Sequence, residues 1–528
     1  MALNFGDMLD AVARHRGDSL AISGDDGDLT WAEFDARSNA LARGLQEMGL
    51  KPGDKVCFML FNGAPYLELL AACFKGRFVH ANVNYRYLSK ELEYILDDSD
   101  AAALVYDDQL RERVEGLSDA CRSRVKLITT AADGDDLGAA NLEGLIWAHD
   151  SSTLDITRSP EDQLFIYTGG TTGKPKGVMW AHADIGGALL SPLFGKEDRS
   201  GSVDDIVAKL DEPKGYLRPL VASPLMHGTA FTAVLTTFAN GGHVILTDNS
   251  GSFDAPRHWQ LVEKHKADAL GIVGDTFAKP LLAALEQKSY DTSSLKIIGS
   301  SGVMWSMATK QEMLKHIPGA TLVDSLGSSE AMALGSSAMT ADGEVKTAKF
   351  QINEKCRVFK EDGTEVKPGS GETGLLARGG LLPLGYYGDP VKSAETFREF
   401  GGQRYCVPGD ICSVELDGSI TLHGRGSACI NSGGEKIFPE EVEEALKLHD
   451  NIADALVFGV PDPQWGSAVT AVVRLADKDG FDEQAVRTFL REHLSPYKIP
   501  KKVMPTDEVI RMPNGKPDYV TAKMLVAG

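Results

Sequence analysis

Basic charge, cysteine and unbroken apolar sequence are all scarce in this chain. Its 54 lysines and arginines are outnumbered by 75 aspartates and glutamates, giving a formal charge of −21. A protein that neutralises a phosphate backbone needs a basic face, so no nucleic acid is expected among its partners. The seven cysteines, at 57, 73, 121, 356, 406, 412 and 429, are odd in number and form no CxxC pair. That excludes a disulfide framework and a zinc site and predicts reduced thiols in a cytoplasmic protein. The N-terminus carries Asp7 and no apolar run behind basic residues, so no signal peptide is expected. One uncharged stretch, residues 219–247, is long enough to span a bilayer. Pro224, His227, Gly228 and the Gly241-Gly242 pair interrupt it, which predicts a buried strand, turn, helix and second strand and no transmembrane segment.

What remains is ordinary globular composition, 43% hydrophobic and 24% charged over 528 residues. Disordered and fibrous architectures are thereby excluded, and the length calls for more than one hydrophobic core. Strand-like runs alternate with helix-like ones, as in VCFML (56–60) before APYLELLAACFKG and AALVYD (102–107) before DQLRERVEGLSDA. The predicted class is α/β, with largely parallel buried strands. Near the C-terminus the pattern changes. Short strands in GDICSVELDGSITLHGRGS precede a helix start at FPEEVEEALKLHD, with Pro439 in its first turn. Two strands, IADALVFGV and SAVTAVVRL, and the amphipathic DEQAVRTFLREHL follow. The expectation is a large N-terminal domain, 1–425, and a small α+β domain, 426–528, parting at residues 425–429.

The most informative segment is QLFIYTGGTTGKPKGVMW, residues 163–180. Two strands flank a loop of Thr168, Gly169, Gly170, Thr171, Thr172, Gly173, Lys174, Pro175 and Lys176. Glycines let backbone N–H groups converge on an anion and threonine hydroxyls add donors, a composition suited to phosphate. The GxxxGK spacing is one residue short of a Walker loop, and Pro175 stands where Ser or Thr would hold magnesium. Alone, such a loop reads equally as a hairpin connection.

Further segments in order make the pattern specific. YTGGTTGKPKG, SPLMHGTA (223–230), GSSGVMWS (299–306), SLGSSEAM (325–332), PGDIC, HGRGSACINSGGEKIFPEE and RMPNGKPDY (511–519) together resemble the signatures of the AMP-forming adenylate enzymes. That superfamily comprises acyl-CoA synthetases, peptide-synthetase adenylation domains and luciferase. The resemblance runs from LTWAEFDARSNALARGL (29–45) to residue 519 and implies the adenylate-forming fold with a mobile C-terminal cap.

The resemblance implies a role for each matching residue. The loop residues Thr168 to Gly173 and Lys176 would bind ATP phosphates. Glu330, with Thr168, would hold Mg²⁺, and Ser329 would lie near the α-phosphate. Ser301, Asp324 and Ser325 would border adenine, and Asp410 and Arg425 would contact ribose or phosphate. Lys516 would be the catalytic lysine, bridging carboxylate and α-phosphate. Ser432, Gly433 and Gly434 would line the channel for CoA. His227, Phe231, Val303 and Met304 would border the acyl group, with His227 also read as catalytic, and Trp180, Met226, Ala230, Phe277 and Trp305 nearby. This chain departs from the pattern at Leu326, where a tyrosine usually packs on adenine, and at Ala428, where a polar hinge residue is usual.

The implied reaction joins a hydrophobic carboxylic acid to AMP from ATP and passes the acyl group to CoA. Rotation about residues 425–429 would withdraw Lys516 and present Gly433 and Gly434. The acyl surroundings are mostly apolar and no acid is placed for an α-amino group, which favours a fatty or steroid side-chain acid. The wording of TGGTTG and GRGSACINSGGEKIFPEE looks like the bacterial branch that acts on such acids. Alternatives are a fatty-acyl-AMP ligase serving a carrier protein, an aryl-acid CoA ligase, a luciferase-like oxidase and a non-catalytic nucleotide sensor. Peripheral membrane contact and a homodimer are compatible with such an enzyme.

Overall fold

A computed structural model describes residues 3–25, 27–132, 137–169, 174–212, 217–248, 250, 253–302, 305, 307–342, 349–425, 430–437, 439–476, 480–507 and 519–527. The chain divides into two compact units. One comprises 1–85, 91–167 and 177–424, and the other 86–90, 168–176 and 425–528.

In the larger unit, a sheet is built on six parallel strands in the spatial order Leu20–Gly24, Val244–Leu246, Pro219–Val221, Ala269–Ile272, Ile297–Ser301 and Thr321–Leu326. It continues through antiparallel strands, among them Gly335–Met339, Thr373–Arg378 and Asp410–Val414. The uncharged stretch forms the strand Pro219–Val221, the helix Gly228–Ala239 and the strand Val244–Leu246. Its two strands are adjacent and parallel, so the apolar run serves a β-α-β unit buried between layers. Among the described residues no helix is long and apolar enough to cross a membrane.

A second sheet places Gln163–Gly169 beside Val79–Asn82, then Lys55–Met59, Ala101–Tyr106 and Lys126–Thr129. These five run parallel. Lys55–Met59 is followed by the helix Ala64–Gly76, opened by Pro65, whose fixed φ suits a first turn. The helix Trp31–Glu47 is started by a capping box in which Thr30 and Glu33 satisfy each other's backbone N–H. On the other edge, Pro175–Ala181 pairs with the short strand Gly385–Tyr386. The six cysteines among the described residues are free thiols, all buried.

The smaller unit has its own core. Ile452–Asp462 and Gly466–Leu475 form a long antiparallel pair, with Lys502–Thr506 parallel to the second. Side chains alternate between faces, as a strand requires. Val457 and Val473 pack with Val442, Leu446, Val486 and Leu490 on one side, and Leu456, Phe458 and Val472 pack with Ala522 on the other. Each such burial stabilises by about 1.5–3 kcal/mol, which gives this unit a core independent of the larger one.

Candidate active site

Parallel strands deliver their carboxyl ends to one edge of a sheet, where α/β proteins bind ligands. In the larger unit Ser300 lies opposite Asp324 and Ser301 opposite Ser325. Two motifs distant in sequence thus become neighbours at that edge. Beyond Leu326 the chain turns back, with Ser328 and Ala331 bonded to each other and the Leu334 N–H donating to the Leu326 carbonyl. This tight return carries Ser329 and Glu330.

Two side chains fix the return from outside. The indole N–H of the fully buried Trp180 donates to the Ser329 carbonyl at 2.9 Å. The Tyr386 hydroxyl donates to Glu330 Oε1 at 2.8 Å, and both residues are buried. Burial, with the Glu330 carboxylate added, pushes the Tyr386 phenol well above its ordinary range, so it remains a donor. Trp180 and Tyr386 sit on neighbouring strands, because Tyr386 pairs with Val178. A third tie is Arg378, buried against Glu197 at 2.7 Å, whose Nε donates to the Met332 carbonyl at 3.0 Å.

The turn that leads to His227 is held by two buried asparagines. Asn62 accepts from the Leu225 N–H at 2.7 Å and donates to the Ser223 carbonyl at 3.1 Å. Asn82 accepts from the Tyr167 N–H at 2.7 Å and donates to the carbonyls of Tyr167 at 3.0 Å and Met226 at 2.7 Å. The strand entering the glycine-rich loop is thereby joined to the turn before His227. His227 itself is half-buried and precedes the helix Gly228–Ala239. One turn on, Phe231 stacks on His80, their ring centres 5.1 Å apart. Met226, Ala230 and Trp305 are buried and Phe277 packs edge-on to Phe253.

Thr168 and Gly169 end the strand Gln163–Gly169, and Lys176 lies in the strand Pro175–Ala181. The close approach of Tyr167 explains Gly177, where a Cβ would meet the phenol ring at 3.0 Å. Gly170, Thr171, Thr172, Gly173, Val303, Met304, Ala428 and Lys516 lie outside the described residues. Asp324 is paired with the buried Lys310. Burial raises the Asp324 carboxyl and Lys310 works against that rise. Leu326 packs against the main core. Asp410 is buried at the start of its strand, and Arg425 ends the strand Ile420–Arg425.

In the smaller unit, Ser432 and Glu435 face each other across a two-residue turn formed by Gly433 and Gly434. Both glycines have positive φ, +58° and +86°, as a type I′ hairpin requires. The Gly433 N–H donates to the Trp465 carbonyl at 2.9 Å.

Residues 9–387 match the AMP-binding enzyme family, and residues 441–516 match the AMP-binding enzyme C-terminal domain. The chain belongs to the AMP-binding enzyme family. A 3-oxocholest-4-en-26-oate–CoA ligase of Rhodococcus rhodochrous is 38% identical over 99% of this chain and 96% of its own. A medium/long-chain-fatty-acid–CoA/3-oxocholest-4-en-26-oate–CoA ligase of Mycobacterium marinum matches at 38%, with the same coverage. Among solved structures, o-succinylbenzoate CoA synthetase of Bacillus subtilis superposes with a TM-score of 0.81 at 21% identity, covering 99% of both chains. A Mycobacterium tuberculosis fatty acyl CoA synthetase gives 0.68 at 21% identity, over 99% of this chain and 98% of that one. The fold of this AMP-binding enzyme is therefore that of the adenylate-forming proteins.

The motifs of an AMP-binding enzyme do not reveal Asn62, Asn82, Tyr386, Arg378 or Lys310. The one signal they leave is a polar residue within or just beyond an apolar strand, as Asn82 stands after VHA.

Proposed function

We propose that this AMP-binding enzyme activates a hydrophobic carboxylic acid, a fatty or steroid side-chain acid, with ATP and transfers the acyl group to CoA. The observation that carries the reading is the strand-end edge of Ser301, Ser325, Ser329 and Glu330, clamped by Trp180 and Tyr386. The CoA ligases that share 38% of its residues over nearly the whole chain supply the substrate class.

A carboxylate resists nucleophilic attack because the attack adds charge to an anion. Conversion to a mixed anhydride with AMP supplies a good leaving group. In the first step the substrate carboxylate attacks the α-phosphorus of ATP and pyrophosphate leaves; the nucleophile is already ionised, so no general base is needed. Catalysis then rests on positioning and on charge stabilisation. The loop 168–176 is assigned to the phosphates, Asp410 and Arg425 to ribose or phosphate, and Lys516 to the charge shared by carboxylate and α-phosphate.

Glu330 offers one buried carboxylate, and among the described residues no group of three metal-ligating side chains occurs. That donor set suits Mg²⁺, which keeps water and substrate phosphates as most of its ligands. Bound there, the ion would offset phosphate charge, while Tyr386 holds the carboxylate in place. In the second step the CoA thiol attacks the acyl carbon and AMP leaves, a step assigned to the hairpin of Ser432, Gly433 and Gly434.

The test is incubation of the purified protein with ATP, Mg²⁺, CoA and a graded panel of fatty, steroid and aryl acids, following AMP and thioester. Thioesters from long-chain or steroid acids are expected. Turnover of benzoate-like acids alone would overturn the lipid assignment, and AMP release independent of CoA would point to a different acceptor.

A further inference from the structure

At the amino ends of the parallel strands, away from the Ser301–Ser325 edge, basic side chains converge although the chain is acidic overall. Arg218 precedes the strand Pro219–Val221 and His243 precedes Val244–Leu246. Arg16 ends the helix Phe5–Arg16, and Lys264 and His265 end the helix Ala255–His265. With Gly242 they line an open cleft of about 390 Å³.

Cations at helix C-termini are favoured by the helix dipole, which accounts for Arg16, Lys264 and His265 one at a time. It does not account for Arg218 and His243, which arrive from strands. A separate observation points to a ligand. Arg218 Nε and His265 Nε2 are buried with no hydrogen-bond partner among the described residues. The Asp268 carboxylate stands 3.6 Å from Arg218 Nε, beyond hydrogen-bond range. Buried polar nitrogens are paired as a rule, so a shift of the Arg218 side chain toward an anion in the cleft would give its Nε an acceptor, and the His265 ring would gain one in its Nε2–H tautomer. The opposing charges are Asp268 and Asp28, the latter beside both histidines. Burial holds the His243 imidazole down at about 4, and His265 and Arg218 add to that effect, a sign of locally positive potential.

We propose that this cleft is a second anion site, distinct from the strand-end site, that takes a small, multiply charged phosphate. Arg218 supplies a planar donor fork matched to phosphate oxygens, and Arg16 and Lys264 supply charge from two other directions. A singly charged carboxylate would leave part of that charge unmatched.

The probe is inorganic tripolyphosphate, titrated calorimetrically into the full chain. Two classes of site are expected, one of them at the proposed ATP site. Lys264→Gln, at an exposed position, should weaken only one class by about tenfold, as loss of a charge-assisted contact implies. Arg218→Gln should weaken the same class, and the His243 and His265 imidazole resonances should move as wild-type protein is titrated. Whether the wild type shows one class or two, the absence of any class weakened by both substitutions would overturn the proposal, whereas a single class that both weaken would keep it and count against the proposed ATP site. So would retention on phosphatidylglycerol vesicles, lost in Lys264→Gln, with no response of those resonances to tripolyphosphate.

Discussion

The Tyr386 hydroxyl donates to Glu330 Oε1 at 2.8 Å across 56 residues of sequence. A hydrogen bond to a charged group contributes about 1.5–3 kcal/mol, and here the acceptor is a buried carboxylate. Tyr386→Phe removes that donor, along with the hydroxyl's contact to the buried Thr396, and keeps the ring. Pyrophosphate exchange should fall by about 10- to 100-fold, with the apparent Mg²⁺ requirement raised. Unaltered exchange in a folded Tyr386→Phe protein would show that Glu330 does not depend on this contact.

Asn82 joins the strand at Tyr167 to the turn at Met226 through three hydrogen bonds to backbone. Asn82→Ala leaves those backbone groups buried and unmet, at about 1–3 kcal/mol each before relaxation, so a loss of several kcal/mol is expected. Asn82→Asp should be no better than Ala. It keeps the acceptor for Tyr167 N–H but turns a carboxylate oxygen toward the carbonyls of Tyr167 and Met226. Urea unfolding followed by tryptophan fluorescence orders the three proteins, and an Asp variant near wild type would contradict the geometry.

Legibility in the sequence follows the range over which each contact acts. The strands flanking the glycine-rich loop, the β-α-β unit at 219–247 and the helix Pro439–Lys447 are set by neighbours a few residues apart, and composition reveals them. Glu330 was legible through its motif. Its partner Tyr386 was not, because that pairing exists only once Gly385–Tyr386 lies along Pro175–Ala181. Asn82 meets Met226 across 144 residues for the same reason. The cleft at the strand starts was hidden in another way: a charge of −21 describes the whole chain and says nothing of where five basic groups gather.

Lys516→Ala and Gly433→Ala should fail at opposite steps. Loss of Lys516 removes a charge assigned to adenylate formation, so pyrophosphate exchange should collapse while thioester formation from supplied acyl-AMP persists. Gly433 has φ +58°, and a Cβ there would stand 3.0 Å from the Trp465 ring. Alanine strains the hairpin by about 1–2 kcal/mol and should slow thioester formation while exchange is kept. Both half-reactions falling equally in either variant would sink that division of labour.

Two buried histidines give stability a pH dependence of defined sign. His80 sits among Phe58, Tyr66 and Phe231, and burial holds its imidazole down at about 3. His182 lies against Phe5 and Phe74, and burial brings it to about 4 even though Asp162 pulls the other way. Both folded values lie below the unfolded value near 6.5, so the unfolded chain binds the extra protons. Their contribution is complete above about pH 6.5 and is lost as the pH falls toward 4, at up to about 1.4 kcal/mol per pH unit for each ring. The urea midpoint should therefore drop between pH 6.5 and 4.5, and His80→Phe should flatten that slope by up to one proton. A slope the same in wild type, His80→Phe and His182→Phe would show that neither buried ring carries the acid sensitivity.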